Sequence, residues 1–201
     1  METTISVEGY ECQALYNQTQ GTPIVFLHGL SYDIEIWQRL GVLDLLLEKK
    51  IPFLAIDMPY GEISQCHPKT RDPKANTVFI AEALQNVFPN QPPLIVGASI
   101  GGYIALNYAA KNPVKGLLLA APAYAFENMT LVWSFKNFHF PVRIIWGTND
   151  TIISSETMRT LVDKLPSAKM LVYNNASHSA YKDQPEWFKT DLIKLYAIAT
   201  T

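Results

Sequence analysis

"VGASIGGYIALN", residues 96–107, sets one serine between glycines two positions away on either side, after an apolar run and before residues with helical spacing. Glycine weakens strand and helix interiors alike, so Gly97, Gly101 and Gly102 crowded at one joint call for a local steric reason. Gly97, Ala98, Ser99, Ile100 and Gly101 fit G-x-S-x-G between a strand and a helix. In such a turn the serine is strained and its hydroxyl is lifted above the sheet, while side chains two residues away would strike neighbouring backbone. Glycine removes that collision. The amides that follow open a helix, whose N-terminal end favours negative charge. Small residues also let a helix pack closely on a strand, so the motif alone has a structural reading beside the catalytic one.

Outward from this joint, short apolar, β-rich runs recur at 23–29, 52–57, 93–99, 114–122, 141–147 and 168–173. They are continuous rather than alternating, as strands covered on both faces are. Segments 33–50, 74–88, 100–111, 155–165 and 185–198 carry helical spacing; in the first, Ile36, Leu40, Leu43 and Leu47 form one stripe. Strand alternating with helix predicts an α/β fold, a doubly wound parallel sheet with helices on both faces. The first twenty residues suit one or two edge strands. A length of 201 residues with no repeat or linker predicts a single domain over 1–201.

Sixteen basic residues against eighteen acidic leave a net charge of -2, and no basic stripe is present to neutralise a phosphate backbone, so nucleic acid is excluded as a partner. The N-terminus lacks the basic start and apolar stretch of a signal peptide, and no apolar run reaches membrane-spanning length. The expectation is a cytoplasmic protein with no integral membrane association. Cys12 and Cys66 are isolated, without CxxC spacing, and are read as two separate, reduced side chains rather than a disulfide or a metal site.

In open parallel sheets the functional crevice lies beyond the carboxyl ends of the strands. Ser99, Asp150 and His178 each stand at such an exit. A serine hydroxyl needs a base within reach, itself oriented by a carboxylate. His178 lies in a polar loop after the last run, whereas His28 heads a glycine turn that it shapes, and His67 and His139 read as surface or packing residues. Asp150 closes "IIWGTND" (144–150), with Glu127 as the reserve acid; Asp57 reads as a turn former. Attack on an acyl carbon needs two donors for the oxyanion, and the backbone N–H groups of Ile100 and Leu30 are the candidates.

Together these residues resemble the α/β-hydrolase fold superfamily from about residue 23 to the C-terminus. "FLHG" (26–29) is similar to its oxyanion-strand signature, "GASIGG" (97–102) to its nucleophile elbow, "WGTND" (146–150) to its acid-bearing strand end and "ASH" (176–178) to its histidine loop. The resemblance implies a mostly parallel, usually eight-stranded sheet with Ser99, Asp150 and His178 as a triad in the family's chain order. Many relatives carry a turn like D-x-P-G-x-G-x-S; here Asp57 to Ser64 reads "DMPYGEIS", which either brings Tyr60 or Glu62 near the site or sends the loop along another path. The family's cap position holds only 123–140, a short insertion that implies an open site or a one-helix flap. Tyr124, Phe126, Met129 and Trp133 within it are candidate pocket residues, with Tyr60, although aromatic residues by default pack inward.

The leading expectation is a small, cap-poor serine hydrolase of a small-molecule carboxylic ester or thioester, requiring neither cofactor nor metal. A non-catalytic ligand sensor or interaction protein on the same fold, and an acyltransferase using the same triad, are the alternatives.

Overall fold

The computed structural model describes residues 2–201. Its strands are β1 (Glu2–Val7), β2 (Tyr10–Asn17), β3 (Ile24–Leu27), β4 (Phe53–Ile56), β5 (Leu94–Ala98), β6 (Gly116–Ala120), β7 (Val142–Gly147) and β8 (Ala168–Tyr173). They form one sheet in the order β1-β2-β4-β3-β5-β6-β7-β8. From β4 to β8 every neighbouring pair is parallel; β1 and β2 form an antiparallel hairpin added at the edge. The alternating burial of β1, with Ile5 and Val7 inward, marks a strand covered on one face only, whereas β3 to β6 are buried throughout.

The helices are α1 (Ile36–Arg39), α2 (Val42–Glu48), α3 (Pro73–Val87), α4 (Ile100–Ala109), α5 (Met129–Ser134), α6 (Ser155–Lys164), α7 (Ala180–Asp183) and α8 (Pro185–Thr200). The pleat divides the core in two. Val25 and Leu27 of β3 join the layer containing Phe79, Ile104 and Leu161 from α3, α4 and α6, while Ile24 and Phe26 join that of Trp37, Leu46 and Phe188 from α1, α2 and α8. Both sides are therefore closed to water, which is why the strand sequences run apolar without alternation.

Strand order reverses around β3, whose neighbours are β4 and β5. The crevice of such a sheet opens at that switch point. The loops leaving β3 and β5 carry Leu30 and Ser99.

Two expectations are corrected. Segment 33–50 is not one helix: Gly41 takes φ 65°, which ends α1 and starts α2 on a new axis, leaving Leu47 49% exposed instead of in the stripe. Nor are the cysteines separate: β2 and the loop after β4 bring Cys12 and Cys66 together as a disulfide, their Cα atoms 4.1 Å apart across 54 residues of sequence. Among the described residues no helix is long and apolar enough to cross a membrane.

Candidate active site

Ser99 leaves β5 with φ 51° and ψ -114°. A non-glycine residue there costs on the order of 1–3 kcal/mol and persists only where its surroundings hold it. The holding contacts are backbone bonds: Ser99 N–H donates to Ala120 O at 2.8 Å, and Ser99 O accepts from the N–H groups of Gly102, Tyr103 and Ala123. The glycines have the steric task their spacing suggests. A Cβ on Gly97 would lie 2.5 Å from Gly101 O, one on Gly102 would lie 2.8 Å from Pro122 Cβ, and one on Gly101 would strike the carbonyl oxygens of Leu27 and His28.

The strand exits of β5, β7 and β8 converge. His178 Nε2 lies 3.0 Å from Ser99 Oγ, and His178 Nδ1 lies 2.9 Å from Asp150 Oδ2. The Asp150 side chain is fully buried, and its Oδ1 accepts from the N–H groups of Ile152 and Ile153 at 2.8 and 2.9 Å. With Oδ2 on His178, the acid is fixed at both oxygens. An Nδ1–H donated to Asp150 leaves Nε2 with a lone pair for the serine hydroxyl proton. Gly147 makes this approach possible, because a Cβ there would fall on the carbonyls of Ala176 and Ser177 in the histidine loop. Asp183 Oδ2 anchors the same loop, accepting from Ser177 N–H at 2.7 Å and Oγ–H at 2.6 Å.

The loop after β3 presents an unused donor. Met58 N–H lies 2.9 Å from His28 Nε2, and His28 Nδ1–H donates to Gly29 O at 2.8 Å. Tyr32 N–H donates to the same carbonyl. Because N–H and C=O of a trans peptide point in opposite directions, fixing Gly29 O aims Leu30 N–H away from it. Neither Leu30 N–H nor Ile100 N–H donates a hydrogen bond among the described residues. Two free donors beside a serine held by an imidazole can stabilise an oxyanion.

A sequence model of the family described as "alpha/beta hydrolase fold" matches residues 22–140, more than half of the chain. The chain belongs to the alpha/beta hydrolase fold family. Mouse "Protein ABHD14A" is 28% identical over 172 residues, which cover 85% of this chain and 68% of that protein. The human "Putative protein-lysine deacylase ABHD14B" is 26% identical over 200 residues, covering 96% of this chain and 93% of its own. Among solved structures, a "predicted CIB-like hydrolase" of Thermoplasma acidophilum superposes with a TM-score of 0.87 at 19% identity, covering 100% of this chain and 98% of that one.

In this alpha/beta hydrolase, Ser99 and His178 line a cavity of about 800 Å³ whose walls include Leu30, Tyr32, Tyr124, Glu127, Ile152 and Tyr181. Tyr124 is thus where the sequence suggested, but four other proposed pocket residues are not. Tyr60 is 2% exposed and turned inward, its hydroxyl donating to His28 O at 2.7 Å. Phe126 packs on the core. Met129 and Trp133 face outward from α5, because Leu131 and Phe135 take the inward positions of that segment and pin it to the sheet. The 123–140 insertion is therefore one short helix and a 3-10 turn packed down beside an open site. Glu62, the other residue of the altered turn, is exposed and pairs with Arg71, while its N–H braces Leu30 O at 2.8 Å. His67 and His139 do not line the cavity.

Sequence reasoning missed Ser31, Tyr32, Asn149, Thr151, Ile152, Ile153, Ser177, Ser179 and Tyr181 in the walls. All are within three residues of Leu30, Asp150 or His178, so proximity to the strand exits was the available signal. Among the described residues no group of three or more His, Cys, Asp or Glu is placed to hold a metal ion.

Proposed function

We propose that the chain is a serine hydrolase that cleaves small-molecule carboxylic esters or thioesters through an acyl-enzyme. The observation that carries this reading is the continuous chain from Asp150 through His178 to Ser99 Oγ, with contacts of 2.9 and 3.0 Å. Ser99 Oγ forms a bond to the acyl carbon while His178 Nε2 takes its proton. Asp150 holds the imidazole in the required tautomer and stabilises its cation. The carbonyl oxygen gains charge, which the Leu30 and Ile100 N–H groups receive. As the ester or thioester bond breaks, His178 returns the proton to the departing alcohol or thiol. Water then attacks the acyl-serine by the reverse assignment, releasing the acid and restoring Ser99.

A fluorophosphonate probe tests the nucleophile. Labelling at Ser99 in the wild type and none in Ser99→Ala is the expected result; a folded wild-type protein that takes no label would overturn the reading.

The name of the human relative, together with the open cavity, supports a second substrate class, the amide of an acylated lysine side chain. The same attack applies, with His178 protonating the departing amine. Release of acid from acyl-lysine peptides, compared with p-nitrophenyl esters, separates the two.

A further inference from the structure

Glu127 was the reserve candidate for the acid, but Asp150 Oδ2 already occupies His178 Nδ1. Glu127 nevertheless lines the Ser99 cavity as an exposed residue and forms no ion pair among the described residues. No lysine or arginine lines that cavity. The cation near its rim, Lys182, sits 5.7 Å from the Tyr32 ring centroid and is outside the lining. Glu127 is thus an exposed carboxylate with no lysine or arginine among the residues that line the cavity with it.

Tyr124 shares this wall and is 48% exposed. Glu127 N–H donates to Tyr124 O at 3.1 Å, a turn that keeps the two residues at one corner. Tyr124 takes φ 58°, a left-handed conformation that bulky residues seldom adopt, and the Tyr103 ring meets it edge to face with centroids 5.9 Å apart. Strain of this kind clusters at binding sites, where the surroundings over-determine the backbone. An aromatic ring and an unpaired carboxylate carried on one turn of a cavity wall can attract a cation through the ring quadrupole and through full charge.

We infer that Tyr124 and Glu127 form a subsite for an ammonium group, and that the preferred substrates are esters or thioesters bearing a positive charge in the acyl or the leaving part. This rests on the serine-hydrolase reading of Ser99. Two isosteric pairs test it: acetylthiocholine against its neutral tert-butyl isostere, with the charge in the leaving group, and p-nitrophenyl γ-trimethylammoniobutyrate against its neutral isostere, with the charge in the acyl part. The wild type should favour the cationic member of at least one pair by about three- to tenfold in kcat/KM. Glu127→Gln should bring that ratio toward one, and Glu127→Lys should invert it. A wild-type ratio of one or below in both pairs, or a preference that survives Glu127→Gln, overturns the subsite. Calorimetric binding of the same compounds to Ser99→Ala, with and without Glu127→Gln, repeats the comparison without turnover. If no ester is hydrolysed yet the cationic member binds more tightly and loses that advantage with Glu127→Gln, the nucleophile reading fails and the subsite stands. Equal binding of both members overturns the subsite whatever the turnover.

Discussion

The Tyr32 hydroxyl lies 3.0 Å from Ser179 Oγ, joining the loop that carries Leu30 to the loop that carries His178 across 147 residues of chain. The proposed oxyanion donor and the proposed base are thus set relative to each other by one side-chain hydrogen bond, in addition to the strands beneath them. Tyr32→Phe keeps the ring and removes the bond. Because a single hydrogen bond contributes about 0.5–1.5 kcal/mol, kcat/KM for a p-nitrophenyl ester should fall by about two- to tenfold with little change in Tm. Wild-type kinetics in this variant would show that the strands alone hold the two loops in register.

Asp150 has two tasks, one per oxygen, and they can be separated. Asp150→Asn keeps an oxygen for the N–H groups of Ile152 and Ile153 but turns an amide donor toward His178 Nδ1. The ring must then carry its hydrogen on Nε2, where it cannot accept the Ser99 proton. Activity should drop by about 10⁴-fold, while circular dichroism and Tm stay close to the wild type. A fall of less than tenfold would remove Asp150 from the proposed triad.

The strands and their exits were legible in the sequence because both depend on local rules. Continuous apolar runs marked β3 to β8, and the residues directly after β5, β7 and β8 are those that converge on His178. What was not legible depends on where distant segments meet. Cys12 and Cys66 come together where the loop after β4 returns to β2, Glu11 and His67 exchanging backbone hydrogen bonds beside them. Tyr60 follows a strand just as Tyr124 does, yet the His28 carbonyl draws its hydroxyl into the core. Met129 and Trp133 looked like a pocket wall by composition, and only the inward claim of Leu131 and Phe135 shows that their side of α5 faces solvent. Within 33–50 the apolar stripe outweighed Gly41, although a glycine at φ 65° was the stronger local signal.

The elbow glycines give a prediction about folding rather than chemistry. At Gly97 and Gly101 an added Cβ meets backbone, not the movable end of a side chain. Gly97→Ala and Gly101→Ala should each cost about 1–3 kcal/mol, lowering Tm by several degrees for a chain of this size. If either variant keeps the wild-type Tm, the close approach of α4 to β5 and β3 is not a constraint on that position.

Asp57, on the loop that braces Leu30, links this region to pH. Its carboxylate is buried, with Oδ2 accepting from Gln65 N–H at 2.6 Å and Oδ1 lying 3.3 Å from His28 Nε2. Burial pushes this carboxyl up, but the His28 ring, the Gln65 N–H and Ser64 together outweigh burial and hold it below the usual carboxylate range. With the folded value below the unfolded one, the unfolded chain binds more protons between the two, and stability rises with pH across that window. The contribution of Asp57 is therefore complete above the ordinary carboxylate titration and is lost as pH falls through the depressed value. Urea unfolding of the wild type at a series of acidic pH values should show this decline. Asp57→Asn, which cannot titrate, should be less stable at neutral pH and show a flatter acid limb. A variant whose stability tracks the wild type in parallel down to the lowest pH would assign the acid sensitivity to other carboxylates.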